Sequence, residues 1–218
     1  MATKTRGARP TVEIELQEAE QVGCPIVGVD EAGRGPLAGP VVAAAVAFTI
    51  PDLKGVKGDI LEQLNDSKAV SEVVREELYE AIVPAFDWGI GIADVGRIDR
   101  CNILNATMWA MRQAVAGLQQ LPASALIDGN RDPGLSCRTR TVVKGDARCL
   151  SIAAASIVAK VTRDRIMRDI AERYPAYGFA KHKGYGTKEH LEAIQRWGVT
   201  PHHRRSFSPV RSALADEA

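Results

Sequence analysis

The sequence predicts an α/β fold in a single domain, in which short strands alternate with helices. Largely apolar runs at 26–29, 41–48, 88–95 and 125–127 have the composition of strands, and helical patterns separate the later ones. The chain has 218 residues, 45% hydrophobic and 25% charged, which suits one globular core. Neither an internal repeat nor a low-complexity linker divides the sequence. We therefore expect one sheet packed against helices.

The first strand runs directly into two acids and a glycine-rich turn. Asp30 and Glu31 follow the apolar run, and Gly33-Arg34-Gly35 comes next. Open α/β sheets bind ligands beyond the carboxyl ends of their strands, and glycine lets a backbone approach a ligand closely. Two neighbouring carboxylates resist joint ionisation unless a cation or a donor compensates them. On its own, the stretch fits a metal-dependent site beside a phosphate-approaching loop and equally a strand that ends in a charged surface turn.

The next two elements follow from strand composition and capping signals. The run 41–48 predicts a second strand, hairpin-paired with the first. After a loop, Ser71 is a suitable N-cap for a helix to about Val83, with Pro84 near its end.

A strand and a helix complete the first half. The strand at 88–95 would place Ile90 and Ile92 on one face. A helix at about 102–117 has apolar residues at spacings of four and three, which predicts a stripe facing the core. The stripe consists of Leu104, Met108, Met111, Val115 and Leu118.

Two further strands repeat the pattern of the first. The run 125–128 ends in Asp128 and Gly129, and a strand at 139–143 is followed by Lys144-Gly145-Asp146. The rest of the chain predicts, in order, a long helix at 151–173, an aromatic, glycine-rich loop at 174–186, a short helix at about 189–197 and a basic tail at 202–205. Residues 1–20, by contrast, are polar and predict a flexible lead-in to the domain at 21–218, whose C-terminal portion, about 174–218, is helical.

The net charge of +1 hides a marked asymmetry. Residues 11–99 carry 6 Lys/Arg against 17 Asp/Glu, whereas residues 100–218 carry 19 against 10. A basic half is typical of proteins that bind polyanions, although charged faces are often only solvated. The asymmetry is therefore compatible with a nucleic-acid partner without requiring one.

Several classes of protein are disfavoured. The longest apolar run, 40–50, is far shorter than the roughly 20 residues of a membrane helix, so we expect no membrane association. No apolar h-region marks a secretory signal. The four cysteines lack C-x-x-C spacing and fit reduced thiols, which indicates a cytoplasmic protein.

Acids at the ends of three strands form the candidate site. Because strand ends meet at one edge of a twisted sheet, Asp30, Glu31, Asp128 and Asp146 could share one location. Oxygen ligands suit Mg²⁺ or Mn²⁺ rather than zinc, and two such ions are a common device for attack at a phosphodiester. Any one of these acids alone would more simply be a turn residue, but three strand ends with the same pattern favour a metal site.

The motifs together resemble those of ribonuclease HII. The resemblance begins with 29–41, which reads VDEAGRGPLAGPV, and continues through 65–68 (NDSK), 127–130 (IDGN) and 144–146 (KGD). It extends through 154–164 (AASIVAKVTRD), 182–187 (HKGYGT) and 205–207 (RSF). These motifs stand in family order over nearly the whole chain.

The resemblance implies a ribonuclease H-like mixed sheet flanked by helices, with a small helical C-terminal part. It implies an endoribonuclease that cleaves the RNA strand of RNA–DNA hybrids and incises 5′ to single ribonucleotides in duplex DNA, giving 5′-phosphate and 3′-hydroxyl ends. The implied cofactor is Mg²⁺ or Mn²⁺, bound as two ions by Asp30, Glu31, Asp128 and Asp146, with Asp146 the least secure direct ligand. We expect a monomer without an obligate protein partner.

The resemblance also implies the residues that bind substrate. The loop Gly33-Arg34-Gly35 would approach the 2′-hydroxyl and phosphate of the ribonucleotide, since the 2′-hydroxyl distinguishes RNA from DNA. Tyr185 would pack on the sugar after the RNA–DNA junction, although a half-buried core tyrosine is the simpler alternative. Ser67, Lys68 and Lys160 fit phosphate contacts. After Lys68 the family's usual run gives way to Ala69-Val70, which puts the geometry of that loop in doubt.

Three other classes fit less well. A dinucleotide-binding turn would need G-x-G-x-x-G before a helix, but here Pro36 and G-x-G-x-x-x-G precede a strand. A non-catalytic nucleic-acid binder would not explain acids at the strand ends. The similar ribonuclease HIII type typically has an extra N-terminal domain and a lysine in the glycine loop, where this chain has Arg34.

Overall fold

The computed structural model describes residues 9–55, 62–64 and 70–216 and contains one mixed sheet. Its strands are β1 (Ile26–Ala32), β2 (Val41–Phe48), β3 (Asp87–Ala93), β4 (Ser124–Asp128) and β5 (Arg138–Val142), arranged in the order β3-β2-β1-β4-β5. β2 pairs antiparallel with β1 and β3, whereas β4 runs parallel to β1 and β5. The predicted hairpin is confirmed. The parallel strands β1, β4 and β5 therefore end at the same edge.

Helices cover both faces of the sheet. Their bounds in chain order are α1 (Glu13–Val22), α2 (Ile50–Leu53), α3 (Glu72–Ala85), α4 (Val95–Ala116), α5 (Leu150–Arg173), α6 (Phe179–His182), α7 (Lys188–Trp197) and α8 (Ser208–Asp216). Short 3₁₀ turns span Gly145–Ala147 and Pro175–Tyr177. α5 packs on one face of β1 and β2, and α4 packs on the other face of β2 and β3. The predicted α/β class is thus confirmed.

The long helix α5 approaches the sheet closely where it passes β1. A Cβ at Gly28 would lie 2.1 Å from the main-chain carbon of Ser151, so no larger residue fits there without a shift. The N-terminal part of α5 is continuously buried, from Leu150 to Ala159. Small residues at this crossing let the helix lie against the end of β1, where the acids stand.

The helix α3 matches its prediction closely. The hydroxyl of Ser71 accepts a hydrogen bond from the N–H of Val74, as an N-cap does. The helix continues to Ala85, so Pro84 lies inside its last turn rather than just beyond it.

The core-facing stripe predicted for α4 is only partly correct. The fully buried positions are Ala106, Ala110, Ala114 and Met111, while Leu104 and Met108 lie at the margin. The reason is the partner strand, since a Cβ at Gly91 would lie 1.9 Å from the carbonyl oxygen of Ala110. Alanine facing glycine brings the two backbones together, which a pattern of large apolar residues does not predict.

Two boundaries of α4 and β3 also differ from expectation. α4 begins at Val95, and Asn102 interrupts it with φ 65° and ψ 165°, so the predicted start at 102 marks a kink. On β3 the buried positions are Gly89, Gly91 and Ala93, and Ile92 is 44% exposed. Ile90 and Ile92 share one face, as predicted, but α4 covers the opposite, glycine face.

The N-terminal segment differs from the flexible lead-in predicted for residues 1–20, since α1 occupies 13–22. Two acids on its inner face explain the difference. Glu15 accepts hydrogen bonds from the N–H and hydroxyl of Ser151 at 2.8 Å, and Glu18 forms ion pairs with Arg138 and Arg140 at 3.1 Å. These contacts fix α1 to the start of α5 and to β5. Its polar composition reflects buried charges with partners rather than solvation.

The C-terminal portion is helical, as predicted, and packs around the end of α5. Met167, Ile170, Phe179 and Ile194 form its apolar centre, together with Leu37 from the loop after β1. This portion therefore lies against the glycine loop and closes one side of the sheet edge. Among the described residues, no helix is long and apolar enough to cross a membrane.

Candidate active site

A cleft of about 390 Å³ lies at the edge where β1 ends. Seven of the residues predicted from sequence line it: Asp30, Glu31, Gly33, Arg34, Gly35, Lys160 and Tyr185. Ser156 and Arg163 of α5 complete its wall and were not predicted. Acids stand at one end of the cleft, and the glycine loop with Tyr185 stands at the other.

Asp30 and Asp128 lie side by side because their strands are parallel and in register. Val29 pairs with Ile127, so the next residue of each strand is the acid. Asp30 is 5% exposed, and burial raises its pKa well above the usual range. Repulsion from Glu31 and then Asp128 raises it further, while a hydrogen bond with Ser156 opposes the rise. The cluster thus contains negative charges with little compensation.

Asp30 and Glu31 reach the cleft without a break in the pleat. The ladder with β2 continues through Ala32, and Asp30 and Glu31 pair with Ala44 and Ala43, which belong to the cores on opposite faces of the sheet. Asp30 Oδ1 accepts the N–H of Glu31 at 2.7 Å. Glu31 stands nearer the rim, where its Oε1 lies 3.2 Å from Arg34 Nη1. The two carboxylates therefore approach the cleft from different sides of one regular strand.

Asp146 stands at the same sheet edge, one short turn beyond β5. Lys144 adopts the left-handed conformation with φ 54°, and the 3₁₀ turn that follows buries Asp146 to 8% exposure. The N–H of Gly145 donates to Asp128 Oδ1 at 2.7 Å. This bond ties the turn to the end of β4, but the described cleft wall includes neither Asp128 nor Asp146.

The donor chemistry of the acids fits a hard divalent cation. All of the candidate ligands are carboxylates, and the repulsion that raises the pKa of Asp30 is the kind that a bound cation relieves. As the side chains stand, no three His, Cys, Asp or Glu residues of the described ranges converge closely enough to enclose a metal ion. Glu31 is held by Arg34 and Asp128 by Gly145, so cation binding requires these carboxylates to turn toward Asp30.

The glycine loop, 33–40, is held from beneath by two buried arginines. Arg204 donates to the carbonyl oxygens of Gly33, Arg34, Gly39 and Pro40 at 2.6 to 3.2 Å. Arg163 donates to those of Ala38, Pro40 and Lys183 at 3.0 to 3.1 Å. Gly33 has φ +98°, and a Cβ there would lie 2.0 Å from Arg163 Nε, which explains why this position is glycine.

The two arginines also leave positive charge beneath the loop. Arg163 and Arg204 are 1% and 0% exposed, and the hydrogen bonds described above are all to main-chain carbonyls. Burial, followed by repulsion from Arg163, lowers the pKa of Arg204 to about 9, so both remain charged at neutral pH. A loop over two guanidinium groups favours anionic ligands such as phosphate.

Tyr185 stands at the loop end of the cleft with its ring 48% exposed. A Cβ at Gly35 would come 3.6 Å from Tyr185 Cε1, so the ring lies directly beside the Gly33–Gly35 turn. Such exposure is unlike a core tyrosine.

Lys160 lines the cleft between the acids and the loop. Its Nζ lies 2.7 Å from Asp164 Oδ1, and burial lowers its pKa although this ion pair opposes the change. Asp164 thus fixes the ammonium within reach of the cleft. The predicted phosphate contacts Ser67 and Lys68 lie outside the described residues.

Sequence reasoning missed the buried support of the site. Arg204 was part of the predicted basic tail at 202–205. Three of the four residues 202–205 lie inside the protein or half-buried, including His203 at 1% exposure. A run of basic residues usually forms a solvated tail. Only the alternation of apolar and basic residues in the preceding helix, α7, could have indicated that this segment packs against the rest of the protein.

A mixed sheet with acids at its edge and helices on both faces places the chain in the ribonuclease H-like class, and solved structures agree. The crystal structure of ribonuclease H2 from Pyrococcus horikoshii OT3 matches with a TM-score of 0.75 and 27% identity, over 88% of this chain and 98% of that one. The ribonuclease HII of Archaeoglobus fulgidus, solved as a complex with PCNA, matches with a TM-score of 0.69 and 25% identity, over 84% and 95%. The Bst ribonuclease HIII in complex with Mn²⁺ shares the fold, with a TM-score of 0.69 and 17% identity, over 91% and 72%.

Sequence comparison identifies the family. The family model for ribonuclease HII matches residues 27–210. The ribonuclease HII of Paramagnetospirillum magneticum is 54% identical over 190 residues, which cover 87% of this chain and 93% of that protein. The chain belongs to the ribonuclease HII family. It is a hydrolase of the ribonuclease H class, as the motifs predicted.

Proposed function

We propose that this protein cleaves the RNA strand of RNA–DNA hybrids and incises duplex DNA 5′ to single ribonucleotides, leaving 5′-phosphate and 3′-hydroxyl ends. The observation that carries the proposal is the composition of one cleft. Carboxylates at strand ends lie beside a glycine loop and an exposed tyrosine ring. Hydrolysis of a phosphodiester requires the carboxylates, and selection of a ribonucleotide requires the loop and the tyrosine ring.

The acids are the proposed catalytic and metal-binding residues. Asp30, Glu31 and Asp128 are electrostatic neighbours, and Asp146 follows on the turn that Gly145 joins to Asp128. These four would hold divalent cations, which supply charge stabilisation and a more acidic attacking water when bound. Asp30 would contribute most to this, since burial and like charges make its carboxylate the most dependent on a cation.

Mg²⁺ or Mn²⁺ is the proposed cofactor. The oxygen-only donor set favours hard cations over zinc, and the Bst ribonuclease HIII of similar fold was solved in complex with Mn²⁺.

Arg34 is a proposed phosphate contact. Its exposed guanidinium lies 3.2 Å from Glu31 and can exchange that partner for a phosphate of the substrate.

The loop end is the proposed reader of the ribonucleotide. Arg204 and Arg163 bind carbonyl oxygens of the loop, and the N–H groups of the Gly33-Arg34-Gly35 turn, which lines the cleft, would bind the ribonucleotide. N–H groups over buried positive charge suit a 2′-hydroxyl and its phosphate. Tyr185 beside Gly35 would pack on the next sugar, and Lys160 would contact phosphate.

The proposed setting is a cytoplasmic monomer acting on nucleic acid. All four cysteines are free thiols, which suits a reducing compartment. The ribonuclease HII of Archaeoglobus fulgidus was solved with PCNA, so a sliding clamp is the partner to test first.

One assay tests the proposed reaction. A DNA duplex with a single ribonucleotide, incubated with Mg²⁺ or Mn²⁺, should be cut 5′ to that nucleotide, and chelator should prevent cutting. Asp128→Asn should abolish incision while duplex binding persists. An all-DNA duplex of the same sequence is the control. Absence of incision with either metal would refute the proposal, and full activity of Asp128→Asn would mean that the acids are misassigned.

A further inference from the structure

Buried histidines lie directly behind Tyr185, and the proposed reaction uses none of them. His190 and His203 are 0% and 1% exposed, and His182 is buried beside them at 8%. The rings of His182 and His190 stack with centroids 4.6 Å apart. A buried histidine with hydrogen bonds on both nitrogens has a defined tautomer, which the neighbouring groups reveal.

The main chain fixes the tautomer of His203. The N–H of Thr200 can only donate, and it lies 2.9 Å from His203 Nδ1, so this nitrogen carries a lone pair. The Thr200 hydroxyl, which accepts the N–H of His202, donates to the same nitrogen. A neutral His203 therefore has its proton on Nε2, 3.0 Å from Nε2 of His190.

The proton on His203 then fixes His190. Because His190 Nε2 accepts from His203, the proton of His190 is on Nδ1, which lies 2.9 Å from the carbonyl oxygen of Tyr185. An added proton on either ring would set two N–H groups against each other. Burial lowers the pKa of both histidines, and burial followed by repulsion from His190 lowers the pKa of His203 to about 4. At neutral pH the pair is a neutral chain of donors that ends on Tyr185.

The remaining main-chain groups around Tyr185 are also held. The N–H of Tyr185 donates to the carbonyl of His182 at 2.9 Å, and the N–H of Gly184 donates to His182 Nδ1 at 3.2 Å. The carbonyl of Gly184 accepts the N–H of Leu37 at 2.8 Å, which joins the segment to the glycine loop. The Tyr185 ring itself is half-exposed, so its position depends on this backbone.

We propose that His190 and His203 are positioning residues that fix the Tyr185 main chain and so place its ring beside Gly35 in the cleft. The inference rests on the substrate contact proposed for Tyr185. Neither histidine touches substrate, and both act through the carbonyl oxygen of Tyr185. A displacement of about 1 Å at such a position can cost on the order of 100-fold in rate. The chain of hydrogen bonds from His203 through His190 to the Tyr185 carbonyl, called the relay below, therefore determines how well a ribonucleotide is recognised.

Nitrogen-15 NMR of the full-length wild-type protein tests the relay directly. At neutral pH, His190 should show the Nδ1–H tautomer, whereas His203 and His182 should show Nε2–H. His190→Gln and His203→Gln assign the resonances. An Nε2–H tautomer for His190, or a charged ring on either member of the pair, would overturn the proposal, because the carbonyl of Tyr185, which also accepts the N–H of Thr187 at 2.8 Å, would then lack the hydrogen bond from His190.

Two substitutions of His190 separate positioning from general stability. The amide of His190→Asn occupies the place of Nδ1 and can still donate to Tyr185, whereas the amide of His190→Gln reaches the place of Nε2 and cannot. We expect His190→Gln to lower incision at a single ribonucleotide by about tenfold or more, and His190→Asn to lower it by less than about threefold. If both variants lose incision activity equally, and the loss follows the decrease in their unfolding midpoints, the role of His190 is purely structural. That result would contradict the proposal.

A double-mutant cycle distinguishes this inference from the function on which it rests. If the relay acts through the ring, His190→Gln should have little further effect in a Tyr185→Ala background. Additive losses would refute the relay and leave the role of Tyr185 intact. A Tyr185→Ala variant with wild-type incision would instead refute the substrate contact itself.

Discussion

The two ends of the cleft are built on opposite electrostatic principles. At the acidic end, formed by Asp30, Glu31 and Asp128, burial and then repulsion between like charges raise the pKa of Asp30. At the loop end, formed by residues 33–40 with Arg163 and Arg204, each buried charge is spread over main-chain carbonyls. A bound cation would relieve the repulsion at the acidic end, whereas the hydrogen bonds that organise the loop end are present without a ligand. The proposed metal site therefore depends on its ligand for stability, and the proposed substrate site does not.

The largest effect is expected from removing one charge at the acidic end. Asp30→Asn should lower incision by at least about 100-fold, since the residue is a proposed metal ligand. The same change should stabilise the metal-free protein by about 1 kcal/mol, or roughly 2–4 °C in Tm, because it removes repulsion in a buried place.

Thermal unfolding in chelator and single-turnover incision measure these two outcomes. Asp94→Asn is a matched control, since Asp94 is an exposed N-cap that asparagine can replace. A destabilised Asp30→Asn protein would show that the charge of Asp30 is already compensated by its neighbours. The proposed electrostatic difference between the two ends of the cleft would then be wrong.

The next effect concerns the loop end. Arg204→Lys loses the planar fork that reaches four carbonyls, so the variant should lose roughly 3 kcal/mol of stability and most of its activity. Arg165→Lys is the control, because Arg165 is 39% exposed where it pairs with Glu76, and its loss should cost less than about 1 kcal/mol. Urea denaturation should separate the two variants. Similar values for both would mean that the buried fork does not organise the loop.

The last effect, seen only at acidic pH, is a pH dependence of stability that comes from the histidine pair. The pKa of His203 is lowered to about 4 from 6.5, so its stabilising contribution is complete above about pH 6.5 and is lost as the pH falls toward 4. Between these two pH values, His203 binds a proton in the unfolded chain but remains neutral in the folded protein. The loss amounts to roughly 3 kcal/mol at most.

The difference in unfolding free energy between wild type and His203→Gln isolates this contribution. It should shrink steadily between pH 6.5 and pH 4. A difference that does not change with pH would show that His203 is not held neutral.

The acidic end was largely predictable from sequence, and the loop end was not. Parallel strands that each end in an acid must bring Asp30 and Asp128 together, so strand patterns suffice to find them. The support of the glycine loop comes from Arg204, which is 165 positions away from Gly39 in sequence and binds the loop through its main-chain carbonyl oxygens. No side-chain pattern records such a contact.

Two other differences have the same physical origin. Glu15 and Glu18 make α1 read as a polar segment, yet both are buried against partners more than 100 residues away. In α4 the alanines that meet Gly89 and Gly91 escape a search for large apolar residues. Periodicity detects burial of large side chains, whereas close backbone approach and buried ion pairs depend on tertiary partners.

A calorimetric titration of Mn²⁺ tests most directly whether the acids at the sheet edge form one divalent-cation site. The wild-type protein should bind Mn²⁺ saturably and rise in Tm with metal concentration. Asp30→Asn and Asp128→Asn should each lose most of this binding, while Asp94→Asn should keep it. Undiminished binding in both site variants would contradict the account, because the ion would then be held elsewhere than between β1 and β4.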